Sequence, residues 1–185
     1  SLSGHKFHGP KGAGALYTRR GIALQNVLYG GGQERGHRAG TENVPAIAGL
    51  AAALAQADAN LPANTARCLD LRQRLTERLL AIPGTHLNGD AGQRLPGNVN
   101  ITFDGVEAET LLLLLDEAGI CASAGSACSA GAVEPSHVLL ALGLTPAQAK
   151  STLRLTLDAA NTAEEIDTAA AVITACVQRL RDGVR

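Results

Sequence analysis

Along the chain the spacing of apolar positions changes several times, and each change marks a predicted element. Over 44–60, Ile47, Leu50, Ala51 and Leu54 recur at helical spacing in an Ala-rich background, which predicts a helix. The LPAN segment at 61–64 predicts a joint. A second helix is predicted over about 65–82, with Cys68, Leu71, Leu75, Leu79 and Ile82 on one face and Pro83-Gly84 ending it. Beyond it the pattern predicts a short strand at 85–88, a strand NVNITF at 98–103 and a helix over about 107–118 stopped by Gly119. A strand is expected to enter at 119–122, and a short helix at 135–143 to end in Gly143. Thr145-Pro146-Ala147-Gln148 has the capping-box pattern, with proline at the first helical position. STLRLTL at 151–157 alternates, placing Leu153, Leu155 and Leu157 on one face and Thr152, Arg154 and Thr156 on the other. A last helix starts at Thr162, with Glu165 as capping partner, and turns Ile166, Ala170, Ile173, Val177 and Leu180 inward. At the other end, 13–20 reads as a short strand leaving a glycine-rich turn and 22–29 as a second apolar segment. Helices and strands alternate without an internal repeat, so the class is α/β or mixed α+β. A domain boundary is placed between 1–60 and 61–185.

Composition narrows the functional classes. The net charge is -1 and only four residues are aromatic, two Tyr and two Phe, so neither a basic footprint nor a stacking platform for nucleic acid is present. The longest apolar runs, such as LLLLL at 111–115, fall far short of the roughly 20 residues that cross a bilayer, and the N-terminus lacks a charged-then-apolar signal pattern. The expectation is a soluble, cytoplasmic protein with no membrane partner. Cys68, Cys121, Cys128 and Cys176 are too widely spaced for paired metal knuckles, and no metal site is expected; a reducing compartment fits them. Methionine is absent and the chain opens on Ser in what reads as a working loop, which suggests an excerpt of a longer polypeptide.

Four stretches carry candidate chemistry. SLSGHKFHGPKGAG at 1–14 sets two of the three lysines, Lys6 and Lys11, among glycines and two histidines. A lysine amine can condense with a cofactor aldehyde, Ser3 and His5 can donate to a phosphate, and glycines let backbone approach closely. A solvated glycine-rich turn is the plainer reading of the same residues. A P-loop is a poor fit, because the GK[ST] ending is missing. In RGHRAGTEN at 35–43, Thr41 stands just before a predicted helix N-terminus, where it is either a phosphate donor or, like Asn43, an ordinary cap. ASAGSACSAGA at 122–132 contains only Ala, Ser, Gly and Cys, which predicts an accessible loop around Cys128. Cys68 and Cys176 are assigned to packing, and packing is also favoured for Cys121. Arg154, opposite the leucines on its strand, can grip a carboxylate bidentately, or can simply be solvated.

Together SGHKFHGPKGAGALYTRRG, GGGQERGHRAGTEN, LPGNVNITF, AGSACSAGAVEPSHVLLALGL and STLRLTL closely resemble the cysteine desulfurases of the NifS/IscS family, pyridoxal phosphate enzymes of the aspartate-aminotransferase fold type. The resemblance implies the tail of the large fold-type-I domain at 1–60 and a small C-terminal α+β domain at 61–185. It implies that Lys6 condenses with the cofactor aldehyde, that Ser3 and His5 bind its phosphate, and that Thr41 binds the phosphate of the partner subunit's cofactor in a homodimer. By the same resemblance Arg154 holds the α-carboxylate of L-cysteine. Cys128 attacks the substrate sulfur, giving L-alanine and a persulfide that is passed to an iron-sulfur scaffold protein, with a transient cluster contact at Cys128 conceivable. The acceptor system is general cluster assembly or nitrogen fixation.

Two departures stand out: Asp158 follows the strand where the family usually has glycine, and the family's N-terminal half, with its ring-stacking histidine and pyridine-pairing aspartate, is not present. This stretch alone is therefore expected not to complete the reaction. The alternatives are a selenocysteine lyase or other fold-type-I enzyme, or a noncatalytic scaffold-binding subunit.

Overall fold

A computed structural model describes residues 1–125 and 135–183. The chain divides into two compact units, Ser1–Pro62 and Ala63–Arg185.

In the first unit a two-residue antiparallel ladder joins β1 (Leu2–Ser3) to β2 (Gly14–Ala15), with Leu2 opposite Ala15 and Ser3 opposite Gly14. A 3-10 turn, Gly4–Phe7, follows β1 directly. The strand predicted at 13–20 is thus only two residues long, and 22–29 forms no strand or helix. Ile22, Leu24, Val27, Leu28 and Tyr29 are all exposed, so nothing within the unit rewards regular pairing there. Gly4 and Leu50 are the unit's buried residues.

Helix α1 runs unbroken over Val44–Leu80 with Pro62 inside it, where the LPAN joint was expected. A mid-helix proline removes one backbone hydrogen bond and costs about 3 kcal/mol in isolation. Here it is carried between an Ala-rich run and a stretch fixed by core packing. Cys68, Leu71, Leu75, Leu79 and Ile82 are all buried, as the spacing predicts. By length and composition alone α1 could cross a membrane, with mean hydropathy 1.2 over its most apolar 18 residues. Its second half is the spine of a core.

That core belongs to the second unit. β3 (Thr85–Leu87), β4 (Asn98–Phe103) and β5 (Thr152–Thr156) form an antiparallel sheet in the order β3-β4-β5. Thr85 faces Phe103, Val99 faces Leu155 and Ile101 faces Leu153. Alternation sends Val99, Ile101, Phe103, Leu153 and Leu155 to one face. There they pack with the second half of α1, with α2 (Ala108–Glu117) through Leu111 and Leu115, and with α5 (Ala163–Gly183) through Ile166, Ala170, Ile173 and Val177. Two short helices, α3 (His137–Ala141) and α4 (Pro146–Lys150), precede β5. Thr145 and Gln148 form the predicted capping box on α4, and Thr162 and Glu165 exchange the equivalent bonds before α5, at 2.8 and 3.1 Å. The strand expected at 119–122 is reduced to an isolated bridge one residue later, Ser123 to Arg154. At Asp158 no glycine is needed: its N–H donates to Asn161 Oδ1 and its own Oδ1 accepts from Ala160, both at 2.9 Å, without a positive φ.

Helices α1 and α5 are also tied by charge. Arg74 donates to both oxygens of Asp167 at 2.6 Å, and Arg78 Nε lies 2.9 Å from the first of them. The hydrogen bond from Arg74 holds the Asp167 carboxyl below the usual carboxylate range. A carboxyl whose pKa is lower folded than unfolded stabilises the fold above its unfolded value, near pH 4, and loses that contribution as the pH falls through the folded value. Asp167→Asn should therefore lower the urea midpoint at pH 7, with the difference from wild type shrinking as the pH is taken below about 4. A gap that stays constant with pH would assign the effect to packing instead.

Candidate active site

The turn that carries Lys6 is fixed by its glycines. Gly4 N donates to Ala13 O and Gly9 N to Gly4 O, both at 2.9 Å, so the SGHK stretch is closed from both sides. A Cβ on Gly4 would stand 2.8 Å from Leu50 Cδ1 and 3.0 Å from Pro10 O, which only glycine avoids. The turn thereby seats on the first part of α1. It ends at His8, in the left-handed region with φ 66°. Ser3 precedes it and its hydroxyl makes no capping bond. Among the described residues Ser3 Oγ, the His5 ring and Lys6 Nζ have no hydrogen-bond or ion-pair partner, and His5 and Lys6 are exposed.

The loop before α1 is braced by two amides that sequence reasoning passed over. Asn26 Nδ2 donates to Gly36 O at 2.6 Å, and Gln33 Oε1 accepts from Gly40 N at 3.2 Å. Glu34 and Arg35 take left-handed backbone, φ 51° and 60°. The cap of α1 is Asn43, whose Oδ1 accepts from Ala46 N at 3.2 Å. Of the two capping candidates the structure uses Asn43, so the Thr41 hydroxyl is uncommitted.

In the second unit Arg154 lies in β5 opposite Asn100. Its N–H donates to Ser123 O at 2.6 Å and its carbonyl accepts from Ser123 N at 3.1 Å. The strand is thus held on its outer side at this residue, and the half-buried guanidinium has no partner among the described residues. His5 and Lys6 share one turn with Ser3 immediately before it, Thr41 belongs to the same unit, and Arg154 belongs to the other. Cys128 lies outside the described residues. Of the other thiols, Cys68 is buried, Cys176 half-buried and Cys121 exposed. The packing assigned to Cys121 is therefore corrected: without a strand at 119–122, nothing turns it inward. Burial pushes the Cys68 thiol up, with Asp158 adding to the effect, which makes it a poor nucleophile at neutral pH. No cluster of metal-ligating side chains occurs among the described residues.

The chain as a whole is similar to known proteins. The aminotransferase class-V family model matches residues 1–168. The cysteine desulfurase IscS of Methanosarcina thermophila is 52% identical over 182 residues, which are 98% of this chain and 45% of that protein. A solved NifS-like protein superposes with a TM-score of 0.83 at 36% identity, covering 94% of this chain and 44% of the other. The structure described as SspA in complex with cysteine matches with a TM-score of 0.61 at 34% identity, covering 87% of this chain and 44% of its own. The chain spans about half the length of these relatives. With the family's pattern present from its first residue into the last helix, the chain belongs to the aminotransferase class-V family.

Proposed function

We propose that this chain supplies the lysine turn, the carboxylate-binding strand and the sulfur-accepting thiol of a pyridoxal phosphate-dependent cysteine desulfurase. The observation that carries the reading is the Gly4-pinned turn, which leaves a primary amine, an imidazole and a hydroxyl uncommitted within four residues. That donor set fits an aldehyde that also bears a phosphate: Lys6 Nζ for the carbonyl, Ser3 Oγ and the His5 ring for the phosphate oxygens. Supporting it are the similarity to proteins named cysteine desulfurase and the neighbour solved with cysteine.

Bound pyridoxal phosphate would withdraw electrons from the substrate α-carbon. Lys6 would hold the cofactor through its aldehyde, and its amine would serve as the base for the α-proton. Arg154 fixes the α-carboxylate with parallel N–H donors. Cys128, as thiolate, attacks the sulfur of L-cysteine: an S–S bond forms and the substrate C–S bond breaks. The electron pair of that bond stays on carbon, which takes a proton. L-cysteine plus the Cys128 thiol thus become L-alanine plus a Cys128 persulfide, with no outside oxidant.

The proposal extends to a homodimer in which Thr41 serves the phosphate of the partner's cofactor, and to an iron-sulfur scaffold as sulfur acceptor in the cytoplasm. Support for a protein surface comes from the exposed Leu16, Tyr17, Val27 and Tyr29 of the first unit.

The test is intact mass and peptide mapping of the complete, cofactor-loaded polypeptide after exposure to L-cysteine. A gain of about 32 Da, one persulfide sulfur, should map to Cys128. An adduct on the exposed Cys121 instead, or turnover undiminished in Cys128→Ser, overturns the assignment.

A further inference from the structure

The hydrogen bonds linking Asn88, Asn100, Thr102 and Thr152 admit one arrangement of protons. The Gln148 carbonyl can only accept, so Thr152 Oγ1, 2.7 Å away, donates to it. Thr152 has no second proton, so in its 2.7 Å contact with Thr102 the donor is Thr102. Thr102 must then accept from Asn88, whose Nδ2 lies at 2.9 Å; the longer 3.2 Å approach to Asn88 Oδ1 carries no proton. The other N–H of Asn88 Nδ2 goes to Asn100 at 2.9 Å, which meets it with Oδ1. Asn88, Thr102 and Thr152 are buried, so water does not reshuffle this order. The Asn100 NH2 is thereby turned out of the network, and it has no partner among the described residues.

The sheet register puts that NH2 beside Arg154. The two residues are direct partners across β4 and β5, on the face opposite the leucines. Asn100 O accepts from Asn88 N on the β3 side, while the N–H and carbonyl of Arg154 are taken by Ser123 on the other side. They therefore form a non-hydrogen-bonded pair, the kind whose side chains stand closest, with Cβ atoms about 4.5–5.5 Å apart. Two adjacent groups offer N–H donors and no acceptor at one place, which suits an anion with two acceptor oxygens.

We infer that Asn100 is a second carboxylate-binding residue: its outward N–H donates to the α-carboxylate of the amino-acid substrate alongside Arg154. This rests on the role proposed for Arg154, and it is independent of Cys128.

The test uses the complete, cofactor-loaded polypeptide and two ligands that cannot lose sulfur, L-alanine and its carboxylate-free counterpart ethylamine, with binding followed by calorimetry. Asn100→Ser keeps an oxygen that can accept from Asn88 and replaces the outward NH2 with a single hydroxyl on a shorter side chain. It should weaken L-alanine about 10- to 100-fold, the range for a hydrogen bond to a charged group, and leave ethylamine within about twofold. A structural defect would lower the melting temperature and weaken both ligands together, and that result overturns the inference. If Arg154→Ala abolishes the preference for L-alanine while Asn100→Ser leaves it intact, the inference fails and the role of Arg154 stands. If Arg154→Ala leaves the preference intact, the proposed role of Arg154 fails. Asn100→Ala, read the same way, carries the test should the serine variant not fold.

Discussion

Lys6→Ala should abolish the lysine-dependent absorbance of bound pyridoxal phosphate and lower desulfurase turnover by at least about 10³-fold, within the range that positioned acid-base groups contribute. The size of the effect follows from the chemistry proposed for one amine, which both retains the cofactor and handles the α-proton. Its selectivity follows from the structure. Lys6 is exposed and makes no hydrogen bond or ion pair among the described residues, and the turn is held by Gly4, Gly9 and Ala13 backbone. Stability should therefore change by no more than about 0.5 kcal/mol. Spectra of the complete polypeptide with added cofactor, before and after borohydride trapping, check this. A trapped cofactor on Lys11, or turnover surviving in the alanine variant, removes Lys6 from the mechanism.

The largest loss of stability is expected from Phe103→Ala. Phe103 is fully buried at the end of β4, opposite Thr85 and within the cluster built by α1, α2 and α5. Removing a buried ring leaves a cavity as well as lost transfer energy, about 3–5 kcal/mol in all. That is a large share of the roughly 5–15 kcal/mol by which a domain is folded. The urea midpoint should fall accordingly. Leu113→Ala, at a side chain 73% exposed on α2, should move it little. Comparable shifts for both would show that the assigned core is not what holds the unit together.

The second unit is far more legible in the sequence than the first. Wherever an element buries one face against its own neighbours, period and caps suffice: NVNITF, the five-residue stripe from Cys68 to Ile82, the capping boxes at Thr145 and Thr162, and the stop at Gly119, whose φ is +77°. Reading fails where the burial that would enforce a pattern is missing from the unit. Residues 22–29 are apolar enough for a strand yet stay exposed and irregular. Pro62 misled in the opposite direction, because local propensity was overridden by the helical run on either side of it.

At the candidate site the chemical residues were visible, since a lysine among glycines and a cysteine among small residues depart from background composition. Their supports were not. Gln33, Asn26, Asn88 and Ser123 act through hydrogen bonds to residues 7 to 31 positions away, and such pairings leave no periodic trace. Asn100 carries no signal in the sequence beyond polar alternation in NVNITF, because its outward NH2 is set by the proton order of Asn88, Thr102 and Thr152.

Helix α5 contributes four buried side chains to a core whose other walls are made much earlier in the chain. During synthesis, then, α1, the first two strands of the larger sheet and α2 leave the ribosome with their apolar faces uncovered, and they stay so until β5 and α5 follow. Nascent chains should depend on holding chaperones until α5 emerges, and losing even its last few helical turns should shift the product from folded protein toward aggregate.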